Sequence, residues 1–272
     1  MRAATDFLGV ACAIMKLKPV ADNTITLKSP RELTMMRESG RLVAHAVREI
    51  IAQMKAGMST RDLDMIAARY YRKHGAKSTA LGYFGFPGHI CVSVNEQVVH
   101  GIPGPLKIRD GDLVKFDLAA TYKGYVGDTT LAAVVGVPPT PDQERLMRIT
   151  REGLMAGIEA AQAGNRLSDI GHAIQSSVER NGLEVVREFV GHGVGRTMHE
   201  APQVSHWGAP GRGPVLKPGM VIAIEPQVNL GGRGVRMLAD GWTAVTADGS
   251  LSCHYEHTVA ITPDGPWILT EP

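Results

Sequence analysis

Two stretches, Leu106-Lys-Ile-Arg-Asp-Gly111-Asp-Leu-Val-Lys-Phe-Asp117 and Leu216-Lys-Pro-Gly219-Met-Val-Ile-Ala-Ile-Glu225, read as versions of one pattern. Each passes from a Leu-Lys start through a glycine into an apolar, strand-like run that ends on a carboxylate. The glycines stand 108 positions apart, and so do the acids. Upstream, Ala56-Gly57 matches Ala163-Gly164, Asp62-Leu63 matches Asp169-Ile170, and His74-Gly75 matches Asn181-Gly182, each at 107 positions. A constant offset across turn signals, helix starts and strand ends marks an internal repeat. It predicts two α+β halves, spanning about residues 30–137 and 141–265, related by a pseudo-twofold, with sheets joined and helices on the outer face.

Each half opens with a helix pair. The first is expected over Pro30 to Ile51 and Ser59 to His74, the second over Pro141 to Ala160 and Ser168 to Asn181, with apolar residues at helical spacing as in Leu63, Ile66, Ala67 and Tyr70. Ser29-Pro30 and Thr140-Pro141 have the form of helix starts, a polar cap followed by proline in the first turn.

The acid at the end of the first strand has a neighbour. In Val114-Lys-Phe-Asp117-Leu-Ala-Ala-Thr-Tyr-Lys-Gly-Tyr-Val-Gly-Asp128-Thr-Thr, apolar and β-branched residues flank a turn at Tyr122, Lys123 and Gly124, which reads as a hairpin. A fold-back between Tyr122 and Lys123 brings Asp117 and Asp128 face to face, within about one residue of register. Like charges so placed repel, and a cation resolves the repulsion. Glu225 in Val221-Ile-Ala-Ile-Glu225-Pro and Glu256 in Cys253-His-Tyr-Glu256-His-Thr-Val also interrupt buried-strand patterns. Buried carboxylates are costly unless paired, protonated or metal-bound. With His192 they form a candidate metal-ligand set.

Composition bounds the alternatives. The chain has 272 residues, is 44% hydrophobic and 21% charged, and carries a formal charge of +2 with basic and acidic residues interleaved. That is the profile of a globular protein, without the basic footprint of a nucleic-acid binder. Cys12, Cys91 and Cys253 are widely spaced and form no CxxC, so neither a disulfide framework nor a structural zinc site is indicated, and a reducing cytoplasm is the expected location. No apolar run approaches the ~18 to 20 residues that span a bilayer. Residues 1–24 read as a poorly ordered extension, with Met15 as an alternative start, leaving 25–272 as one domain. Gly191, Gly193 and Gly195 lack phosphate-loop spacing and are expected to let the backbone approach closely around His192. His254 and His257 are read as structural.

The strings Val99-His100-Gly-Ile-Pro103, Gly127-Asp128-Thr, Gly191-His192-Gly-Val-Gly-Arg196, Met198-His199-Glu-Ala-Pro202, Leu216-Lys-Pro-Gly-Met220, Ile224-Glu225-Pro226 and Tyr255-Glu256-His257-Thr258 together resemble the signature set of type I methionine aminopeptidases. The resemblance runs from about residue 25 to the C-terminal end. It implies the pita-bread fold, in agreement with the repeat, and removal of the initiator methionine from nascent polypeptides when the next residue is small, by water activated at a dinuclear metal centre. Carried over position by position, it implies that Asp117, Asp128 and Glu256 bind one ion and Asp128, His192, Glu225 and Glu256 the other. The oxygen-rich donor set suits divalent Co, Mn or Fe, with Zn also in range.

The resemblance further implies that Glu225 serves as general base and acid, that His100 and His199 hydrogen-bond the substrate, and that Tyr83, Phe86, Cys91, Met198 and Trp242 enclose its methionine side chain. Phe84 and Phe86 stand where His and Tyr are usual, and Met198 where an aromatic is frequent, changes that keep the pocket apolar. The implied partners are nascent polypeptide N-termini, with transient ribosome association, and the implied state is a monomer with neither nucleic-acid reading nor membrane insertion. Two other readings of the fold are an Xaa-Pro aminopeptidase or prolidase-like hydrolase, and a non-catalytic scaffold.

Overall fold

The computed structural model describes residues 24–272, so the expected extension, apart from Thr24, lies outside the described residues. The four expected helices form as α1 (Pro30–Gln53), α2 (Thr60–His74), α3 (Pro141–Ala160) and α4 (Leu167–Glu179). Ser29, Ser59 and Thr140 cap the first three, each in a reciprocal capping box with the residue three positions on. Those boxes satisfy N–H groups that a helix start otherwise leaves bare. In α4 the same place is taken by Asp169, whose carboxylate accepts from the Arg166 backbone at 2.8 Å, so this helix begins one residue earlier than expected.

The main sheet has nine strands in the described residues: β1 (Lys77–Ser78), β2 (Cys91–Val94), β3 (Leu113–Tyr122), β4 (Tyr125–Val134), β5 (Gly191–Gly193), β6 (Glu200–Val204), β7 (Val221–Ile224), β8 (Glu256–Thr262) and β9 (Gly265–Ile268). Their order is β1-β3-β4-β8-β7-β5-β6, with β2 on β3 and β9 on β8, and the pairing is antiparallel throughout. The central run β3-β4-β8-β7 is symmetric about the β4–β8 junction, where the pseudo-twofold passes.

The repeat is also visible in irregular contacts. Ser59 bridges Lys107 as Arg166 bridges Val215, and Gly57 N–H bonds the Ile108 carbonyl as Gly164 N–H bonds that of Leu216. The halves differ at their second turn. Lys123 (φ 50°) and Gly124 (φ 82°) close β3 onto β4 in two residues, whereas β7 and β8 are separated by an excursion that supplies strands to two three-stranded sheets.

The helices cover one face. Val43, Val47 and Ile50 of α1 and Leu63, Ile66 and Tyr71 of α2 pack on Val114, Phe116 and Leu118. Leu146 and Ile149 of α3 and Ile170 and Ile174 of α4 pack on Ile222, Ile224, Val259 and Ile261. Each fully buried side chain of this size contributes about 1.5–3 kcal/mol. α1 also makes backbone contact. A Cβ on Gly127 would lie 2.7 Å from the Ser39 carbonyl carbon, and Ser39 Oγ donates to the Tyr125 carbonyl at 3.0 Å. Residue 127 must be glycine for α1 to sit this close to the strand that carries Asp128.

Candidate metal centre

Sheet register brings the five candidate ligands together. Thr130 lies opposite both Asp117 on β3 and Glu256 on β8, and Asp128 lies opposite Ala119, two residues from Asp117. Even offsets keep side chains on one face. The register of β8 with β7 pairs His257 with Ile224, and one further step sets Glu225 against Glu256. Phe116 and Leu118 point into the helix-covered core, so Asp117 between them points to the opposite face.

The expected face-to-face arrangement of Asp117 and Asp128 is corrected by this register. The fold-back lies at Lys123-Gly124, one residue later than read, because both residues accept the positive φ that a two-residue hairpin turn requires. The carboxylates are therefore diagonal neighbours. The residue directly opposite Asp117 on its other side is Cys91, whose thiol hydrogen-bonds it. Cys91 is thus a buried partner of a ligand candidate as well as an expected pocket residue.

His192 stands over the acids. Its Nε2 is 3.8 Å from Asp128 Oδ2 and 3.5 Å from Glu225 Oε1, while Nδ1 meets the Gly193 carbonyl at 3.0 Å. Donation from Nδ1–H to that carbonyl leaves the Nε2 lone pair free toward the carboxylates, the tautomer that a metal-ligating imidazole needs. Ligand atoms of Asp128, His192 and Glu256 all lie within 4.8 Å of one another. The backbone around His192 is as close as expected, since Cβ atoms on Gly191 and Gly193 would fall 2.2 Å from the Ala223 and Ala201 carbonyl oxygens.

Electrostatics show what the cluster lacks. Burial raises Asp117 to about 6, and burial with the neighbouring acids pushes Asp128, Glu225 and Glu256 well above the carboxylate range. Burial also holds His192 down at about 4, so it brings no positive charge to offset them. Their donors are few: Thr130 Oγ1 on Glu256 Oε2 at 3.0 Å, the Cys91 thiol on Asp117, the Thr129 backbone N–H on Asp128 and an amide on Glu225. Four crowded carboxylates and one neutral imidazole form the donor set of a divalent-cation site.

Beside it lie the other expected residues. Tyr83 Oη meets His199 Nδ1 at 2.6 Å, and the His199 ring is 4.2 Å from that of His192. His100, at φ 60°, stands edge-on to Trp242 at 6.3 Å, and Phe86 packs edge-on against Trp242 at 5.1 Å. Met198 is partly buried against the apolar cluster that includes Leu33, Met36 and Tyr125. His257 points to the opposite face and meets Thr270 Oγ1 at 2.8 Å.

Four residues near the site carried no sequence signal strong enough to single them out as site residues. Phe189 stands edge-on to His100 at 5.5 Å. His206 Nε2 accepts from the Glu225 backbone N–H at 3.2 Å. Gln227 donates to Glu225 Oε2, and His254, read as structural, lies with Nε2 3.7 Å from the same oxygen. The spacing of two between Glu225 and Gln227 was the available clue.

Comparison with known proteins agrees with this geometry. Residues 34–263 match the model of metallopeptidase family M24. The chain is 52% identical over 246 residues to methionine aminopeptidase 1 of Bacillus subtilis, covering 90% of this chain and 99% of the relative. It is similar to the crystal structure of methionine aminopeptidase from Thermotoga maritima, with 42% identity and a TM-score of 0.89 over 92% of this chain and all of that one. A prolidase from Pyrococcus furiosus is more distant, at 25% identity and a TM-score of 0.73, with 65% of its length covered. The chain belongs to metallopeptidase family M24 and, within it, to the methionine aminopeptidases.

Proposed function

We propose that this protein removes the N-terminal methionine from nascent proteins and peptides whose second residue is small. The observation that carries the reading is the meeting of a divalent-cation donor set with the neutral histidines His100 and His199 and the aromatic wall of Phe86 and Trp242. The donor set accounts for a hydrolase, and the wall accounts for an unbranched apolar side chain.

Two divalent ions, drawn from Co, Mn, Fe or Zn, would be held by Asp117, Asp128 and Glu256 on one side and by Asp128, His192, Glu225 and Glu256 on the other. When bound, such ions supply a water of lowered pKa and polarise a carbonyl. Glu225 Oε1 takes the proton of the attacking water and delivers it to the leaving amine. Tyr83, whose hydroxyl is kept protonated by burial, donates to His199 Nδ1 and so leaves the ring proton on Nε2, free to donate to the carbonyl oxygen of the scissile bond. His100, held near 4 by burial, stays neutral and binds the substrate's peptide group without adding charge beside the cations.

No helix in the described residues is long and apolar enough to cross a membrane. The reading has the protein act as a cytoplasmic monomer on N-termini as they emerge, in transient association with the ribosome, because the small-second-residue rule concerns newly made chains. An Xaa-Pro aminopeptidase or prolidase-like activity is the competing hydrolase reading. The test is methionine release from Met-Ala-Ser, Met-Leu-Ser and Ala-Pro-Ser peptides by chelator-stripped protein with each metal restored. Metal-dependent cleavage of the first alone is expected; cleavage of the third alone would overturn the reading.

A further inference from the structure

The two oxygens of Glu225 are addressed by different residues. Oε1 faces His192 Nε2 at 3.5 Å, whereas Oε2 accepts from the side-chain amide of Gln227 at 3.1 Å. The same amide nitrogen also donates to the Glu225 backbone carbonyl. Gln227 follows Pro226, two residues past the end of β7, and opens the short strand Gln227–Asn229 of a smaller sheet. There it is the direct cross-strand partner of His254, whose Nε2 lies 3.3 Å from the amide nitrogen. Gln227, His254 and His206 are all buried.

The amide turns its nitrogen toward Glu225. Turned over, its oxygen would meet the Glu225 carbonyl and carboxylate, acceptor against acceptor. In the orientation found, Oε1 of Gln227 is buried with no hydrogen-bond partner. A buried oxygen without a donor is unfavourable. The arrangement accepts that cost to aim the N–H groups at Glu225. The backbone N–H of Glu225 is meanwhile held by His206 at 3.2 Å.

We propose that Gln227 is a positioning residue for Glu225: its amide, backed by His254, fixes one carboxylate oxygen so that the other points to His192 and the cation site. A glutamate side chain has three rotatable torsions, and with Oε2 tied down Oε1 has one direction left. The inference rests on the proposed metal-dependent function and adds a residue to it. Gln227 touches neither substrate nor ion and acts only through Glu225.

The test is Mn binding measured by calorimetry on the chelator-stripped full chain, with Gln227→Met, Glu225→Gln and the double variant beside the parent. Gln227→Met keeps the volume and removes the donors. Glu225→Gln keeps Asp117, Asp128, His192 and Glu256 to bind the ion. Gln227→Met is expected to weaken binding ~10–100-fold alone and less than about twofold in the Glu225→Gln background. Turnover of a Met-Ala peptide at saturating Mn should show kcat lowered with KM within about twofold. Wild-type affinity in Gln227→Met, or the same loss in both backgrounds, overturns the proposal. Should Gln227→Met fail to fold, His254→Leu carries the same test through the residue behind the amide. A parent protein that binds no Mn would instead overturn the metal-dependent reading itself.

Discussion

Asp117 and Asp128 sit on the same face of one hairpin, offset by two residues, with Ala119 directly opposite Asp128 and Thr130 directly opposite Asp117. This diagonal sets Asp128 two residues along β4 from Thr130, which has Asp117 of β3 on one side and Glu256 of β8 on the other. It also stores unfavourable electrostatics in the metal-free protein. Asp128→Asn, nearly isosteric, should stabilise chelator-treated protein by roughly 1–2 kcal/mol. Added Mn at 100 times its Kd should stabilise the parent by about 2.7 kcal/mol and the variant far less. Denaturant melts with and without metal check both, and a variant less stable than the parent in chelator would count against the repulsion.

Tyr83→Phe removes the partner of His199 Nδ1 and frees the ring to adopt the other tautomer. One neutral hydrogen bond amounts to about 0.5–1.5 kcal/mol, so kcat for a Met-Ala peptide should fall up to ~10-fold while KM stays nearly constant. Steady-state kinetics decide it, with a rise in KM alone pointing to ground-state binding instead.

Trp242 closes the apolar wall against Phe86 and His100. Trp242→Ala should raise KM for methionyl peptides by about 10-fold or more, the equivalent of losing ~1.5–3 kcal/mol of apolar contact. Norleucine and methionine peptides should be affected alike, which competitive assays would show.

Gly127→Ala would place a methyl against the Ser39 backbone of α1, where no side chain can move aside. Destabilisation of roughly 1–3 kcal/mol or more is expected from urea melts. Activity should fall as well, since Asp128 follows directly.

Glu32 accepts from the Ser29 backbone and hydroxyl and from Tyr125 Oη, which lowers its pKa from 4.5 to about 2. A carboxyl lowered on folding contributes stability above its unfolded pKa and loses it as pH falls through the folded one. The stability difference between the parent and Glu32→Gln should therefore be full at pH 6 and shrink from about pH 4.5 toward 2. Urea melts across that range test it, and a difference independent of pH would remove the charge from the account.

The sequence by itself determined the periodic features. Helix starts were legible because Ser29-Pro30 and Thr140-Pro141 act locally, within one turn. The two halves were legible because a repeated stretch must fold alike twice, and carboxylates that interrupt apolar strands stand out in any register. Tertiary structure decided what depends on register and on approach between distant segments. A one-residue shift of the turn made Asp117 and Asp128 diagonal, and only sheet pairing showed Cys91 against Asp117. Phe189, His206, Gln227 and His254 enter the site through contacts with residues from two to 89 positions away. Only the Gln227 contact has a local spacing; no local pattern encodes those of Phe189, His206 and His254, because partners from distant segments are fixed by the assembled sheet and not by neighbours in the chain.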